Sequence, residues 1–423
     1  MNGASHVTPP ERIEADYEIE TSANPQDAAE AMAGEQSSGT FVAVPGETPE
    51  LKERSAARVE ALQVTGEAER PSLPGASTGA AVQRATVTLS WPLSNIGPSL
   101  PNLLATIAGN LFELKQFSGL KITDIRLPKE FGEAYAGPQF AIDGTRRLAG
   151  VEGRPLIGTI IKPSIGLDAQ ATADLTRTLV QAGIDFIKDD ELQSDGPTCP
   201  FEGRARAVME VINASADKTG KKAMFAFNIT GDLGEMRRRH DLVHDLGGTC
   251  VMTSLNSVGL VGMIEIARHS ELPIHAHRNG WGYLSRHPML GWSYLAWQKI
   301  WRLAGADHMH VNGLANKFSE DDASVLASAR ACLTPMFPDK PCLAMPVFSS
   351  GQTARQAPGT YEGLGSHDLI YAAGGGIMAH PDGPAAGVGS LKQAWEAAIS
   401  GIPLSTHATS KPELARALEA YAP

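Results

Sequence analysis

The sequence predicts an α/β protein, with a carboxyl-terminal eight-stranded βα (TIM) barrel behind an α+β domain of ferredoxin-like type. Three observations carry this. The chain's 423 residues exceed one typical domain and suit a barrel of ~250 residues with a smaller partner. Beyond about Leu156, short apolar runs and helical stretches alternate eight times. Those runs are too apolar for a one-sided sheet, as expected of strands buried on both faces.

Residues 1–13 read as a loose polar tail, 14–135 as the first domain and 136–423 as the barrel. ADYEIET (15–21) alternates like an edge strand, and NPQDAAEAMAGEQ (24–36) reads as a helix opening at Asn24. SSGTFVAVP (37–45) returns as a strand. VPGETPELKERSAARVEALQ (44–63) reads as a loop feeding a helix, and GEAERPSLPGASTG (66–79) is rich in turn residues. AVQRATVTLSWP (81–92) is again strand-like, and NLLATIAGN (102–110) helical.

The eight barrel runs are LIGTIIKPSIG (156–166), IDFIKDDE (184–191), KAMFAFNIT (222–230), CVMTSLNS (250–257), LPIHAHRNG (272–280), ADHMHVNG (306–313), CLAMPVFSSG (342–351) and DLIYAAGGGI (368–377). Nearly all end in polar or glycine residues: Lys162, Lys188 to Glu191, Asn228, Asn256, His277-Arg278, His310, Ser349 to Gly351 and Gly374 to Gly376. In a βα-barrel the strands' carboxyl ends converge on one face, which carries the chemistry. Polarity begins at any strand end, so one such residue means little. Lysines, carboxylates and histidines gathered at buried strand ends are destabilising unless they have a task.

Composition excludes several classes. Hydrophobic residues at 42% and charged residues at 20% exclude global disorder. A net charge of −11 argues against nucleic acid or an anionic membrane as partner, yet leaves room for a small anion in a local positive pocket. Cys199, Cys250, Cys332 and Cys342 form no CxxC pair and read as incidental reduced thiols. The polar start and the lack of an apolar run of ~20 residues point to a cytoplasmic protein.

Four groups of residues carry chemistry. On the second run, Lys188 and Asp190 share a face and Asp189 points the other way. Asp190 and Glu191 are hard oxygen donors suited to Mg²⁺. Lys188 beside them is either their counter-ion or an amine that takes up CO₂ as a carbamate, and a simple salt bridge is the plainer reading. Gly374 to Gly376, after the eighth run, suit a phosphate held by backbone N–H groups. His275-Ala276-His277 and His308-Met309-His310 place alternating histidines on neighbouring strands, with one of each pair expected to face the barrel interior. A core histidine is the plainer reading of either pair; both together, beside Arg278, favour a substrate pocket. Lys317 follows the sixth run and by itself reads as a solvated loop charge.

GTIIKPSIGL, DFIKDDE, HAHR, DHMHVNGLANK, PVFSSG and GGGIMAHPDGPAAG, in this order and spacing, resemble the large subunit of RuBisCO and its relatives. Upstream, GEQSSGTF (34–41) and AGNLFELKQFSGLKITDIRLP (108–128) resemble that family's amino-terminal domain. The resemblance implies that Lys188 is a carbamylated lysine binding Mg²⁺ with Asp190 and Glu191. It implies that Lys162 handles the proton on substrate carbon, with His277 near metal and substrate. Arg278, His310 and Ser349 would line the far end of the substrate. Thr40, Lys317, Gly351, Gly374 and Gly375 would grip phosphate and carboxylate. Glu35, Thr40 and Asn110 would reach into the site from a second subunit, making a homodimer with shared sites.

Departures from the carboxylases point to the RuBisCO-like proteins, which do not fix CO₂. Ser164 stands for the second lysine of KPKLGL, Phe41 for a tryptophan and Trp281 for a histidine. The loop before Lys317 reads NGLAN, and Ser350-Gly351-Gln352 replaces Gly-Gly-His. The implied reaction forms an enediolate from a phosphorylated substrate: decarboxylation or carboxyl transfer and hydrolysis on 3-oxo-isoapionate 4-phosphate. Lys317, suited to a departing carboxylate, favours this. The alternative is an enolase or isomerase on a methylthio-ribulose-type sugar phosphate of methionine salvage, with an apolar pocket near Trp281 and Phe348.

Overall fold

The computed structural model describes residues 11–38, 45–76 and 81–421, in two compact units. One spans residues 1–135 and 281–300, the other 136–280 and 301–423. Thr40, Phe41 and most of the strand expected over 37–45 lie outside the described residues.

The first unit is built on a five-stranded sheet. Its strands are β1 (Arg12–Thr21), β2 (Arg58–Ala68), β3 (Val82–Pro92), β4 (Phe117–Arg126) and a late arrival, β10 (Leu290–Trp292). The order β4-β1-β3-β2, antiparallel throughout and crossed by helices Pro25–Glu35 and Leu100–Ile107, is that of a ferredoxin-like domain. β10 adds to the β4 edge in parallel. Asn24 caps the first helix by accepting from the Gln26 N–H at 2.9 Å, while Ala28, Ala29, Met32 and Ala33 bury its inner face.

Two expectations are corrected here. The first strand begins at Arg12, inside the expected tail. The helix expected through residue 63 stops at Ser55, where Ala56 turns to extended backbone and β2 begins at Arg58. Good helix formers are overruled because Val59, Leu62 and Val64 find partners in Leu89, Val87 and Ala85 of β3.

The second unit is a closed parallel barrel. Its strands are β5 (Leu156–Ile160), β6 (Phe186–Lys188), β7 (Met224–Asn228), β8 (Cys250–Ser254), β9 (Ile274–His277), β11 (His308–His310), β12 (Met345–Phe348) and β13 (Ile370–Ala372). β13 pairs back onto β5 through Ile370 with Leu156. Each strand lies within one of the eight apolar runs. Leu156, Phe186, Met224, Met252, Met345 and Val347 fill the barrel core with Ile142 and Ala149 of helix Ala141–Ala149. Helices between strands are capped as their sequences require: Asp168 accepts from the Ala171 N–H and Asp321 from the Ser324 N–H, each at 2.8 Å. All four cysteines are buried and none forms a disulfide. Among the described residues no helix is long and apolar enough to cross a membrane.

Candidate active site

Strand β6 delivers the acidic centre. Lys188 is fully buried, and its Nζ donates to the Asp189 carbonyl at 2.7 Å and lies 3.9 Å from Glu191 Oε2. Burial lowers the Lys188 pKa against the pull of Glu191, Asp190 and Asp189. Asp189, out of phase, turns to the helix layer, where its Oδ2 meets Arg204 at 3.2 Å and accepts the Asn228 N–H at 2.9 Å.

Asp190 faces the mouth of the barrel. Its Oδ2 accepts from Lys162 Nζ at 2.6 Å, and Lys162 also donates to Ser164 at 2.7 Å. Burial pushes the Asp190 carboxyl up, but Lys162, the Leu192 N–H and Ser164 together hold it below the usual carboxylate range. Glu191 Oε2 lies 3.6 Å from His277 Nε2. Lys162, Lys188, Asp190, Glu191 and His277 are thus one cluster, drawn from β5, β6 and β9. Two adjoining carboxylates beside a buried amine whose pKa burial lowers are a donor set that fits Mg²⁺ and a lysine carbamate.

The histidines correct one expectation. Residues two apart on a strand share a face, so both members of each pair enter the barrel, not one. His275 and His308 lie deep in it, His310 is buried above them, and the His310 and His277 rings are 4.6 Å apart. Burial and the charge on Lys188 push the His277 pKa down to about 4, and burial alone takes His308 to about 3. Burial also drives His275 and His310 well below the ordinary value. All four are neutral imidazoles at neutral pH.

The opposite wall comes from β11, β12 and their loops. Ser349 Oγ lies 3.0 Å from His310 Nδ1. Arg278 donates to Glu320 at 2.6 Å, and Asn312 Nδ2 donates to the same carboxylate at 2.7 Å. Lys317 is exposed; its N–H donates to the Ser350 carbonyl at 3.3 Å, beside Gly351. Gly374 and Gly375 open the short helix Gly375–Met378 after β13. At Gly376 any side chain would strike the Gln352 carbonyl, 2.5 Å from an ideal Cβ. Gln352 itself is buried and braces the loops, donating to the Leu314 carbonyl at 3.0 Å and accepting from Tyr371 at 3.3 Å.

Glu35 and Asn110 belong to the first unit, at the end of helix Pro25–Glu35 and just before the turn Leu111–Glu113, and both are exposed. Trp281 packs against Tyr294 and Trp297 at 5.3 and 5.0 Å in that same unit, and Phe348 is fully buried, out of phase with the interior residues Met345 and Val347. Sequence reasoning missed Glu320 and Thr145, whose partners are remote along the chain or across a loop.

A separate group, His240, Asp241 and His269, brings ligand-type atoms close together among the described residues. The Glu271 N–H donates to His240 Nε2 at 3.1 Å, so the proton sits on Nδ1, which donates to Asp241 at 3.0 Å. That nitrogen has no lone pair for a metal.

The chain, a ferredoxin-like domain followed in sequence by a barrel with lysine, adjoining carboxylates and histidines at its strand ends, matches known proteins along nearly its whole length. The family model for the ribulose bisphosphate carboxylase large chain, catalytic domain, matches residues 141–421, and that for its N-terminal domain matches residues 11–131. The chain belongs to the RuBisCO large-chain family. It is 61% identical to a 3-oxo-isoapionate-4-phosphate transcarboxylase/hydrolase of Xanthobacter autotrophicus, over 96% of this chain and 99% of that one. It is 45% identical to a 3-oxo-isoapionate-4-phosphate decarboxylase of Rhizobium etli, over 96% and 97% of the two chains. The crystal structure of a rubisco-like protein from Burkholderia fungorum superposes with a TM-score of 0.91 at 46% identity, covering 96% of this chain and 99% of that one. This RuBisCO-like chain therefore has close relatives named as enzymes acting on one phosphorylated sugar-derived substrate.

Proposed function

We propose that the protein is a Mg²⁺-dependent enzyme that breaks a carbon–carbon bond of 3-oxo-isoapionate 4-phosphate, by carboxyl transfer and hydrolysis or by decarboxylation. The observation that carries this is the 61% identity, end to end, with a relative named for that transcarboxylase/hydrolase reaction. The same likeness favours carboxyl transfer and hydrolysis over simple decarboxylation, whose named relatives stand at 45%.

Lys188 as its carbamate, Asp190 and Glu191 would hold Mg²⁺, which supplies Lewis-acid stabilisation of the oxygen charge that develops when a carbon–carbon bond gives up its electron pair. Lys162, whose Nζ sits 2.6 Å from the proposed metal ligand Asp190, would return or remove the proton on substrate carbon. Lys317 would hold the departing carboxylate, and Gly351, Gly374 and Gly375 with Thr40 the phosphate. Arg278, His310 and Ser349 would bind the far end, with neutral His277 beside the reacting carbons. Glu35 and Asn110 would complete the site of a second subunit in a homodimer. The methylthio-sugar reading draws no support here, because Phe348 is out of phase with the barrel interior and Trp281 is engaged by Tyr294 and Trp297.

The test uses the purified protein with Mg²⁺, bicarbonate and substrate labelled with ¹³C at the carboxyl carbon, in D₂O. Label moved to a new carbon skeleton, or retained in a hydrolysed product, supports carboxyl transfer and hydrolysis; labelled CO₂ supports decarboxylation. Deuterium uptake with every carbon bond intact would overturn the proposal. In Lys317→Ala the cleavage kcat should fall roughly 10²- to 10³-fold, the scale of one lost transition-state contact to developing charge. Proton exchange on an analogue lacking the carboxylate should fall much less. Equal losses in the two assays would sink the carboxylate role of Lys317.

A further inference from the structure

A file of buried polar groups runs through the barrel from helix Ala141–Ala149 to the candidate site. Thr145 Oγ1 lies 2.5 Å from the Ala141 carbonyl and 2.8 Å from His308 Nε2. His308 Nδ1 lies 3.4 Å from His275 Nδ1, and His275 Nε2 lies 2.7 Å from His310 Nε2. His310 Nδ1 then meets Ser349 Oγ at 3.0 Å. Thr145, His308, His275, His310 and Ser349 are all buried.

The proton positions follow from one end. A carbonyl only accepts, so the single hydroxyl proton of Thr145 must point at Ala141. Thr145 Oγ1 can then only accept from His308, which places the His308 proton on Nε2. Each ring is neutral and carries one proton, so the rest is forced. His308 Nδ1 accepts from His275 Nδ1–H, and His275 Nε2 accepts from His310 Nε2–H. His310 Nδ1 accepts from the Ser349 hydroxyl. The Cys250 thiol, 4.0 Å from His308, does not interfere, because it is turned to the Val251 carbonyl. Ser350 is fixed in the same sense: Asn312 Nδ2 is committed to Glu320, so its Oδ1 takes the Ser350 proton at 2.9 Å.

We infer that Thr145 is a positioning residue which, through His308, His275 and His310, fixes Ser349 as a hydrogen-bond acceptor, so that this wall of the pocket binds a hydroxyl donor of the substrate and not an anionic oxygen. The inference rests on the reading of this pocket as the substrate site. It assigns the phosphate elsewhere, to the side of Lys317 and the loop after β13. It also explains why a residue at the far end of the barrel core bears on recognition without touching the substrate.

Neutron diffraction from deuterium-exchanged crystals tests it without any substrate. The wild-type map should place deuterium on His308 Nε2, His275 Nδ1 and His310 Nε2, with the Ser349 deuteron directed at His310 Nδ1. Deuterium on His310 Nδ1, or on both nitrogens of any of these rings, overturns the proposal. In Thr145→Val the fixed end is gone, and the His310 deuteron should move wholly or in part to Nδ1. In Thr145→Ser, which keeps the oxygen, it should stay. An unmoved deuteron in Thr145→Val refutes the role given to Thr145. Should that variant fail to fold, the wild-type and Thr145→Ser maps still decide. With substrate, KM should rise roughly 3- to 10-fold in Thr145→Val, the scale of one neutral hydrogen bond, and hold in Thr145→Ser. An equal rise in both variants overturns the assignment, while absence of the proposed activity leaves the neutron result standing.

Discussion

Arg204 should be indispensable to the acidic centre, and its removal is a quantitative test of how Asp189 is held, since burial pushes that carboxyl up against the opposing pull of Arg204 and the Asn228 N–H. The two side chains are fully buried and 3.2 Å apart. The Arg204 guanidinium also donates to the Ser194 and Cys199 carbonyls at 2.7 and 3.0 Å, tying down the loop that follows Glu191. Arg204→Met keeps most of the volume but leaves Asp189 as a buried carboxylate whose remaining strong donor is the Asn228 N–H at 2.9 Å. Losing one partner of a buried pair typically costs ~3–5 kcal/mol, because the survivor is stranded in a low-dielectric site. Asp189→Asn should cost a similar amount by stranding the guanidinium. The double variant removes both charges, so its loss should fall well short of the sum, with a coupling of roughly 1–3 kcal/mol. Urea unfolding of the four proteins in one buffer gives the cycle directly. Losses that simply add, or a single-variant loss under about 1 kcal/mol, would show that the pair is not what holds Asp189 in place.

Three further outcomes are expected. Burial pushes the Asp185 carboxyl up, but Arg154 at 2.5 Å and Lys221 more than offset this and leave it below its ordinary value. A depressed carboxylate stabilises the fold above its unfolded pKa of ~3.9, and that stability is lost as pH falls through the lower folded value. The gap in urea midpoint between wild type and Asp185→Asn should therefore be widest above about pH 5 and close towards pH 3; a pH-independent gap refutes the linkage. Crystals grown with Mg²⁺ and bicarbonate should show carbamate density on Lys188, and a bare amine there would count against the proposed metal centre. Mixing inactive Glu35→Ala and Lys162→Ala chains should restore about a quarter of wild-type activity, since random pairing leaves one intact shared site in half of the dimers. No recovery after verified subunit exchange would rule out a shared site.

What the sequence could and could not reveal follows from the range of each interaction. The eight barrel strands were legible because each is an apolar run with a helix behind it, a pattern set within some 25 residues. β10 was not, because Leu290, Gly291 and Trp292 are too short to show a period, and their strand character comes from pairing with Leu120, Lys121 and Ile122 of β4. β2 was misread for the same reason, its partners lying in β3. In the candidate site, the cluster of Lys188, Asp190 and Glu191 is local to one strand end and could be read directly, and barrel topology then carried Lys162 and His277 to it. The histidine parity needed only the two-residue repeat of a strand, applied with care. Thr145 could not be found in this way. A threonine in the middle of a short helix is unremarkable in sequence, and its importance arises only when folding brings it to His308, 163 positions along the chain. A polar file of this kind tolerates no unsatisfied member in a medium where each stranded donor is costly, so its direction is set by the one end where a carbonyl leaves no choice. That end is Ala141, whose own N–H is held by Asp307 at 2.8 Å, and Asp307 accepts as well from the N–H groups of Phe140 and Ile274. The orientation inferred for a single serine at the mouth of the barrel is thus traced to a backbone carbonyl at its floor, in a turn that Asp307 holds in place.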